Sequence, residues 1–557
     1  MRIAAVFAFL VLAACQVTEP LPLADLIIHN AVVYTANDTQ PRAEAVAVRG
    51  GRFVLVGTSA EALKRRGPNT RVVDAEGRAV LPGLQDAHGH FTNLGESLQM
   101  LKLRGTTSFE QIVAMVRARA ATARPGEWIL GRSWDQNDWD DKAWPTHDQL
   151  TAAAPNNPVY LTRVDGHAAV VNKAALDAAG VTRTTRDPDG GRLIRDTAGA
   201  PSGVLIDQAQ RLVAGKIPDI SEAQLEEQIL LADAEARRLG LTMVHDAGAS
   251  VREVAAYQRL IDQGKLKTRI YAMLSGSLDT LKEEFKKGPI KDYGNRHLSV
   301  RAIKIVADGA LGSRGAALLE PYTDEAKNTG LLTTPPGEVY AQTLAAAQAG
   351  FQTGIHAIGD RANREVLDLF EKVAAEVPAA RDLRQRNEHA QILDEADIPR
   401  FKALNVIASM QATHATSDMP WVAVRIGHAR TAEGAYVWQK LLKTGAVLAN
   451  GSDFPVEEPN PMPGLYAAIT RQDPSGNPAG GWMPDQRLSR AEALKSFTWS
   501  AAYAAHAEHD LGSIETGKYG DLLLLDRDVM TVEPAQILGT SVLLTVIGGE
   551  VVYEKSK

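Results

Sequence analysis

Two histidines one residue apart, His88 and His90, close the run Leu81-Pro82-Gly83-Leu84-Gln85-Asp86-Ala87-His88-Gly89-His90. Side chains alternate along a strand, so both imidazoles point to one face and could grip a single metal ion. His-x-His alone is weak evidence, because hydrogen-bonded core histidines are common. It gains weight from other ligand types at the ends of later short apolar runs. These are Lys304 in Ala302-Ile303-Lys304-Ile305, His356 in Gly354-Ile355-His356-Ala357, His389 in Glu388-His389-Ala390, and Asp453 in Asn450-Gly451-Ser452-Asp453-Phe454-Pro455. Taken singly, His356 reads as a core histidine and Lys304 as an ion-pair member; only their recurrence at run ends points to metal chemistry.

Such residues act together only if the chain brings the run ends to one place. From about residue 80 to 505, short apolar runs alternate with helical patterns such as 339–349 and 361–374, the signature of βα units and a parallel sheet. Eight candidate strands end near His90, His245, Leu274, Val306, His356, His389, Gln411 and Asp453. Eight closes a (β/α)₈ barrel, whose active sites lie at the C-terminal ends of its strands. The fold expected is therefore α/β, a TIM-like barrel over 83–505 with an α/β insertion at about 91–238 that acts as a lid. Residues 24–82 and 506–557 carry strand-and-hairpin patterns and are expected to close one small β-sandwich from both chain ends.

At 557 residues the chain has room for more than one domain, and its 45% hydrophobic and 23% charged content is that of a globular protein. A net charge of -7 without a dense Lys/Arg block argues against nucleic acid and favours small partners. Residues 1–14 read as a secretory leader ending in Leu12-Ala13-Ala14-Cys15, which resembles the bacterial lipobox. Cys15 is the one cysteine, so no internal disulfide can form. The expectation is an exported lipoprotein held to the membrane only through lipid on Cys15. Gln16 favours the outer membrane facing the periplasm, and residues 15–23 form the tether.

The order His-x-His, Lys, His, His, Asp is similar to the amidohydrolase superfamily. Longer strings resemble the branch of the N-substituted formamide deformylases: Trp134-Asp135-Gln136-Asn137-Asp138-Trp139, Arg163-Val164-Asp165-Gly166-His167, Asp308-Gly309-Ala310-Leu311-Gly312-Ser313-Arg314, His356-Ala357-Ile358-Gly359-Asp360-Arg361-Ala362 and Gly451-Ser452-Asp453-Phe454-Pro455. The resemblance implies two divalent metal ions. His88, His90 and Asp453 would hold one, His356 and His389 the other, and Lys304 would bridge them as an N-carboxylate, since an ammonium has only donors. Zinc suits these ligands, with iron, manganese and cobalt as alternatives. The implied reaction is hydrolysis of a non-peptidic C–N bond in a small amide such as an N-acyl or N-formyl amine. A metal-activated bridging water attacks, and Asp453 serves as general base and then acid.

Around that centre, Trp134, Asp135, His167, Arg314 and His414 are the candidate substrate contacts. His167 or Arg314 could steady an oxyanion or a substrate carboxylate. Against this stand packing for Trp134 and a plain loop position for His414. A cyclic amide, lactone or ester hydrolase on the same centre, and a non-catalytic metal-containing binding lipoprotein, are the competing readings. The resemblance also leaves a homodimer open.

Overall fold

A computed structural model of the chain describes residues 22–163, 168–188 and 191–556. The leader, Cys15, the start of the tether, Asp165 and His167 lie outside the described residues.

Eight parallel strands form the centre: β1 Leu84–Gly89, β2 Leu241–Ala249, β3 Arg269–Ser275, β4 Leu298–Val306, β5 Gln352–Ala357, β6 Arg386–His389, β7 Ile407–Gln411 and β8 Leu448–Gly451. They are hydrogen-bonded in sequence order from β1 to β8. The ends meet just beyond β8, where the Asp453 N–H donates to the His88 carbonyl at 2.7 Å and the His90 N–H to the Phe454 carbonyl at 2.8 Å. The expected barrel is present, with β2 running past His245 to Ala249. Strands buried on both faces tend to near-continuous apolar runs, as β3 and β4 do, whereas β6, Arg386-Asn387-Glu388-His389, is polar throughout. Helices 222–238 and 251–262, and helix 490–496 beyond β8, start on capping boxes: Ser221 with Gln224, Ser250 with Glu253 and Ser489 with Glu492.

The insertion carries a six-stranded sheet of its own between residues 101 and 207, with helices Phe109–Ala120, His147–Ala153 and Lys173–Ala178. The helices that flank it, Phe91–Gln99 and Glu222–Arg238, place Leu94, Leu225 and Ile229 in the main barrel core. They serve the barrel rather than the insertion.

Both chain ends build two further sheets, one of four strands and one of six. In the larger sheet, Ala79–Pro82 from the first end pairs with Leu522–Leu525 from the second. Leu26, Val46, Val48 and Phe53 meet Val33, Val80, Leu522, Leu524 and Val546 in the shared core of this β-sandwich. It is locked to the N-terminal end of β3 by a buried ion pair, Arg269 Nε to Asp521 Oδ2 at 2.7 Å and a second Arg269 nitrogen to Oδ1 at 2.9 Å. Among the described residues, no helix is long and apolar enough to cross a membrane.

Candidate metal centre

The C-terminal ends of the barrel strands carry an unusual density of buried polar side chains. His88 lies one residue before the end of β1, Lys304 two before the end of β4, His356 one before the end of β5, and His389 ends β6. Asp453 stands two residues past β8 with φ 59°, and His389 has φ 73°. Left-handed backbone at residues other than glycine is uncommon and concentrates at functional sites. Gly89 allows the loop after β8 to come close, since a Cβ there would meet the Phe454 ring at 2.6 Å. The buried Asp86 carboxylate ties that loop to β1 by accepting from the His88 N–H at 3.0 Å and the Ser452 hydroxyl at 2.7 Å. Burial pushes its pKa up to about 7 against these hydrogen bonds.

Two sets of side chains have ligand atoms lying mutually within 4.8 Å: His88, His90 and Asp453, and His389, His414 and Asp453. His90 Nε2 is 3.0 Å from Asp453 Oδ1, and His88 Nε2 is 3.5 Å from the same oxygen. Lys304 Nζ reaches His88 Nε2 at 3.2 Å. His414 Nε2 stands 3.9 Å from Asp453 Oδ2, its ring stacked near-parallel to that of His389 with centroids 6.1 Å apart.

The outer nitrogens are occupied. His88 Nδ1 donates to the Glu388 carboxylate at 2.5 Å and His389 Nδ1 to the Gln411 side-chain carbonyl at 2.8 Å, which leaves each Nε2 as the acceptor, that of His88 facing Lys304 Nζ. Burial holds His88 down at about 4, His356 at about 3 and His389 well below the usual imidazole value, so these rings are neutral at pH 7. Burial also lowers the pKa of Lys304. It would raise that of Asp453, but the His90 hydrogen bond and the fields of His88, His389 and His414 outweigh it and keep the group ionised. Neutral imidazoles around a carboxylate, with buried Nε2 atoms of His356 and His414 lacking a hydrogen-bond partner, are the donor set a divalent cation requires.

The structure thus gathers His88, His90, His389, Asp453 and Lys304 as the sequence suggests, and it adds His414, expected only as a substrate contact. His356 stands beside His389, ring centroids 4.4 Å apart, yet outside both sets; its Nε2 lies 3.6 Å from Asp308 Oδ1. Asp308 in turn accepts backbone N–H groups of Ala317, Ile358 and Gly359, each at 2.9 Å, and so braces the loops after β4 and β5.

Of the remaining candidates, the three among the described residues are engaged with other partners. Trp134 is fully buried in the insertion core, its indole N–H donating to the Leu161 carbonyl at 2.8 Å and its ring stacked on Trp139. Asp135 pairs with Arg163 at 2.7 Å. Arg314 pairs with Asp324 at 2.9 Å. Sequence reasoning missed Arg386 and Glu388 as a buried pair. The available signal was an Arg and a Glu two apart in a short strand, which puts both on one face.

A cleft of about 460 Å³ opens beside the segments that carry the ligand candidates, though none of those candidates lines it. Its walls include Leu94, Ser417 and Pro455, which follow His90, His414 and Asp453 by four, three and two residues. A larger cavity, about 1230 Å³, lies between helices 91–99 and 222–238 and the insertion, and no ligand candidate lines it.

Residues 71–553 match the amidohydrolase family. The chain is 35% identical to the protein LONG AFTER FAR-RED 3 of Arabidopsis thaliana over 95% of its length and 92% of that protein's. It is 27% identical to the N-substituted formamide deformylase of Arthrobacter pascens, covering 96% of this chain and 99% of the other. An uncharacterized metal-dependent hydrolase from Pyrococcus furiosus superposes with a TM-score of 0.76 at 28% identity, over 91% of this chain and 100% of that one. With the family matched over most of the chain and its centre assembled at the barrel mouth, the chain belongs to the amidohydrolase family and is a hydrolase acting on carbon–nitrogen bonds.

Proposed function

We propose that the protein hydrolyses an exocyclic amide of a small molecule, an N-acyl or N-formyl amine, at a centre of two divalent ions. The observation that carries this reading is the convergence on Asp453 of two separate ligand sets, one from β1 and one from β6 and the helix after β7. His88, His90 and Asp453 would hold one ion, and His356 with His389 the other, with His414 within reach of the same space. Lys304, whose Nζ lies against His88 Nε2, would join them as an N-carboxylate. When bound, such ions supply Lewis acidity, which polarises a carbonyl and makes water nucleophilic near neutral pH.

The chain's own residues supply the rest. Asp453 is ionised and can accept a proton on Oδ1 or Oδ2 and hand it to the departing nitrogen. Gln411 and Glu388 keep two imidazoles in the tautomer that faces inward. The cleft beside the segments after His90, His414 and Asp453 has the size of a small-molecule site. The name of the Arthrobacter relative, a deformylase of N-substituted formamides, supports the N-formyl end of the range.

The test is turnover across N-formyl and N-acyl amines by the metal-loaded protein and by Asp453→Asn. Loss of at least about 10²-fold in the variant, with its metal content measured alongside, is expected. Turnover within a few-fold of the parent would refute the role of Asp453.

A further inference from the structure

Beneath the centre lies a polar assembly that chain packing alone does not demand. Arg386 and Glu388 are both fully buried, two residues apart on β6. Arg386 Nε donates to Glu388 Oε1 at 2.6 Å, and a terminal nitrogen to Oε2 at 3.1 Å. The same guanidinium donates to the Ala87 carbonyl on β1 at 2.6 Å, to His245 Nδ1 on β2 at 2.8 Å and to the Ser409 hydroxyl on β7 at 3.0 Å. One cation therefore fastens four strands, and its fork fixes where the Glu388 carboxylate can lie. Gly354 on β5 makes the space, since a Cβ there would meet Glu388 Oε1 at 2.8 Å.

Burying an ion pair costs several kcal/mol per ion in desolvation, and apolar residues of similar volume commonly stabilise a core as well or better. A purely structural role is thus the poorer account. A carboxylate has no proton to give, so the proton shared with Glu388 sits on His88 Nδ1, and Nε2 faces Asp453 and Lys304. His389 is held instead by the neutral amide of Gln411.

We infer that Arg386 and Glu388 are a positioning clamp that presents His88 through Nε2, making the ion held by His88 and His90 depend on this pair more than the ion held through His389 does. The inference rests on the metal-dependent reading above. Its test begins with the parent protein carrying NMR-active cadmium and isotope-labelled histidine. Coupling of cadmium to His88 Nε2, with a proton on Nδ1, is expected; coupling to Nδ1 overturns the clamp whatever any variant does. Chelator competition on Glu388→Gln then reads both ions separately. One ion should weaken by roughly 10–100-fold and the other hold within about twofold. A folded variant that keeps both affinities overturns the clamp and leaves the hydrolase reading standing. A parent that binds no cadmium or zinc overturns both.

Discussion

His88 has two ring nitrogens and divides two tasks between them, one toward Glu388 and one toward the space shared with Lys304 and Asp453. Metal ligation needs the neutral ring. Burial lowers its pKa from 6.5 to about 4, so falling pH does not protonate it until well below the ordinary imidazole range. The sign is that of a group whose charged form the fold disfavours: the ligand stays competent as pH drops through 6.5 and fails near 4. An NMR titration of the labelled His88 ring in the metal-free protein should therefore show it neutral through 6.5 and protonating only toward about 4. A His88 midpoint near 6.5 would contradict its buried, neutral state. At this scale the sequence was informative about ligand types and silent about their partners. His88 and His389 could be named because each falls at the end of a candidate barrel strand. The partner of His88 could not, because Glu388 lies 300 residues away and only barrel closure brings them together.

The seam between β1 and β8 is where closure succeeds or fails. Gly451 ends β8, and a Cβ on it would meet the His88 backbone nitrogen at 2.5 Å and Asp86 Oδ1 at 2.6 Å. Neither neighbour can give way easily, one being strand backbone and the other a carboxylate bound to Ser452 and His88. Gly451→Ala is expected to cost about 1–3 kcal/mol by thermal unfolding and to reduce retained metal by displacing His88. A variant with parental melting temperature and metal content would show that the seam is not tight. Strands such as β3 and β4 were legible as apolar runs, while β1 and β6 stood out by the histidines at their ends. The insertion was less so. Trp128-Ile129-Leu130 and Val159 to Thr162 stood out, but whether Trp134 packs or faces a substrate depends on Trp139 and Leu161, contacts that no local pattern encodes.

At the level of the whole molecule, the sandwich from the two chain ends is fastened to the base of the barrel opposite the metal centre. Arg269 and Asp521 are almost fully buried, at 1% and 6% exposure, and their two-pronged pair spans the junction. Asp521→Ala leaves a buried guanidinium without its counter-charge and should destabilise the protein by about 3–5 kcal/mol, with sandwich and barrel melting in a single transition. Separate transitions in calorimetry would mean that the two parts fold independently. The central claim is that this scaffold holds a two-ion centre bridged through Lys304. Its most direct test is elemental analysis of the soluble chain purified without chelator, beside Lys304→Ala. About two ions per chain in the parent, with at least one lost in the variant, is the result predicted. No metal in either, even after reconstitution with zinc and bicarbonate, would contradict it.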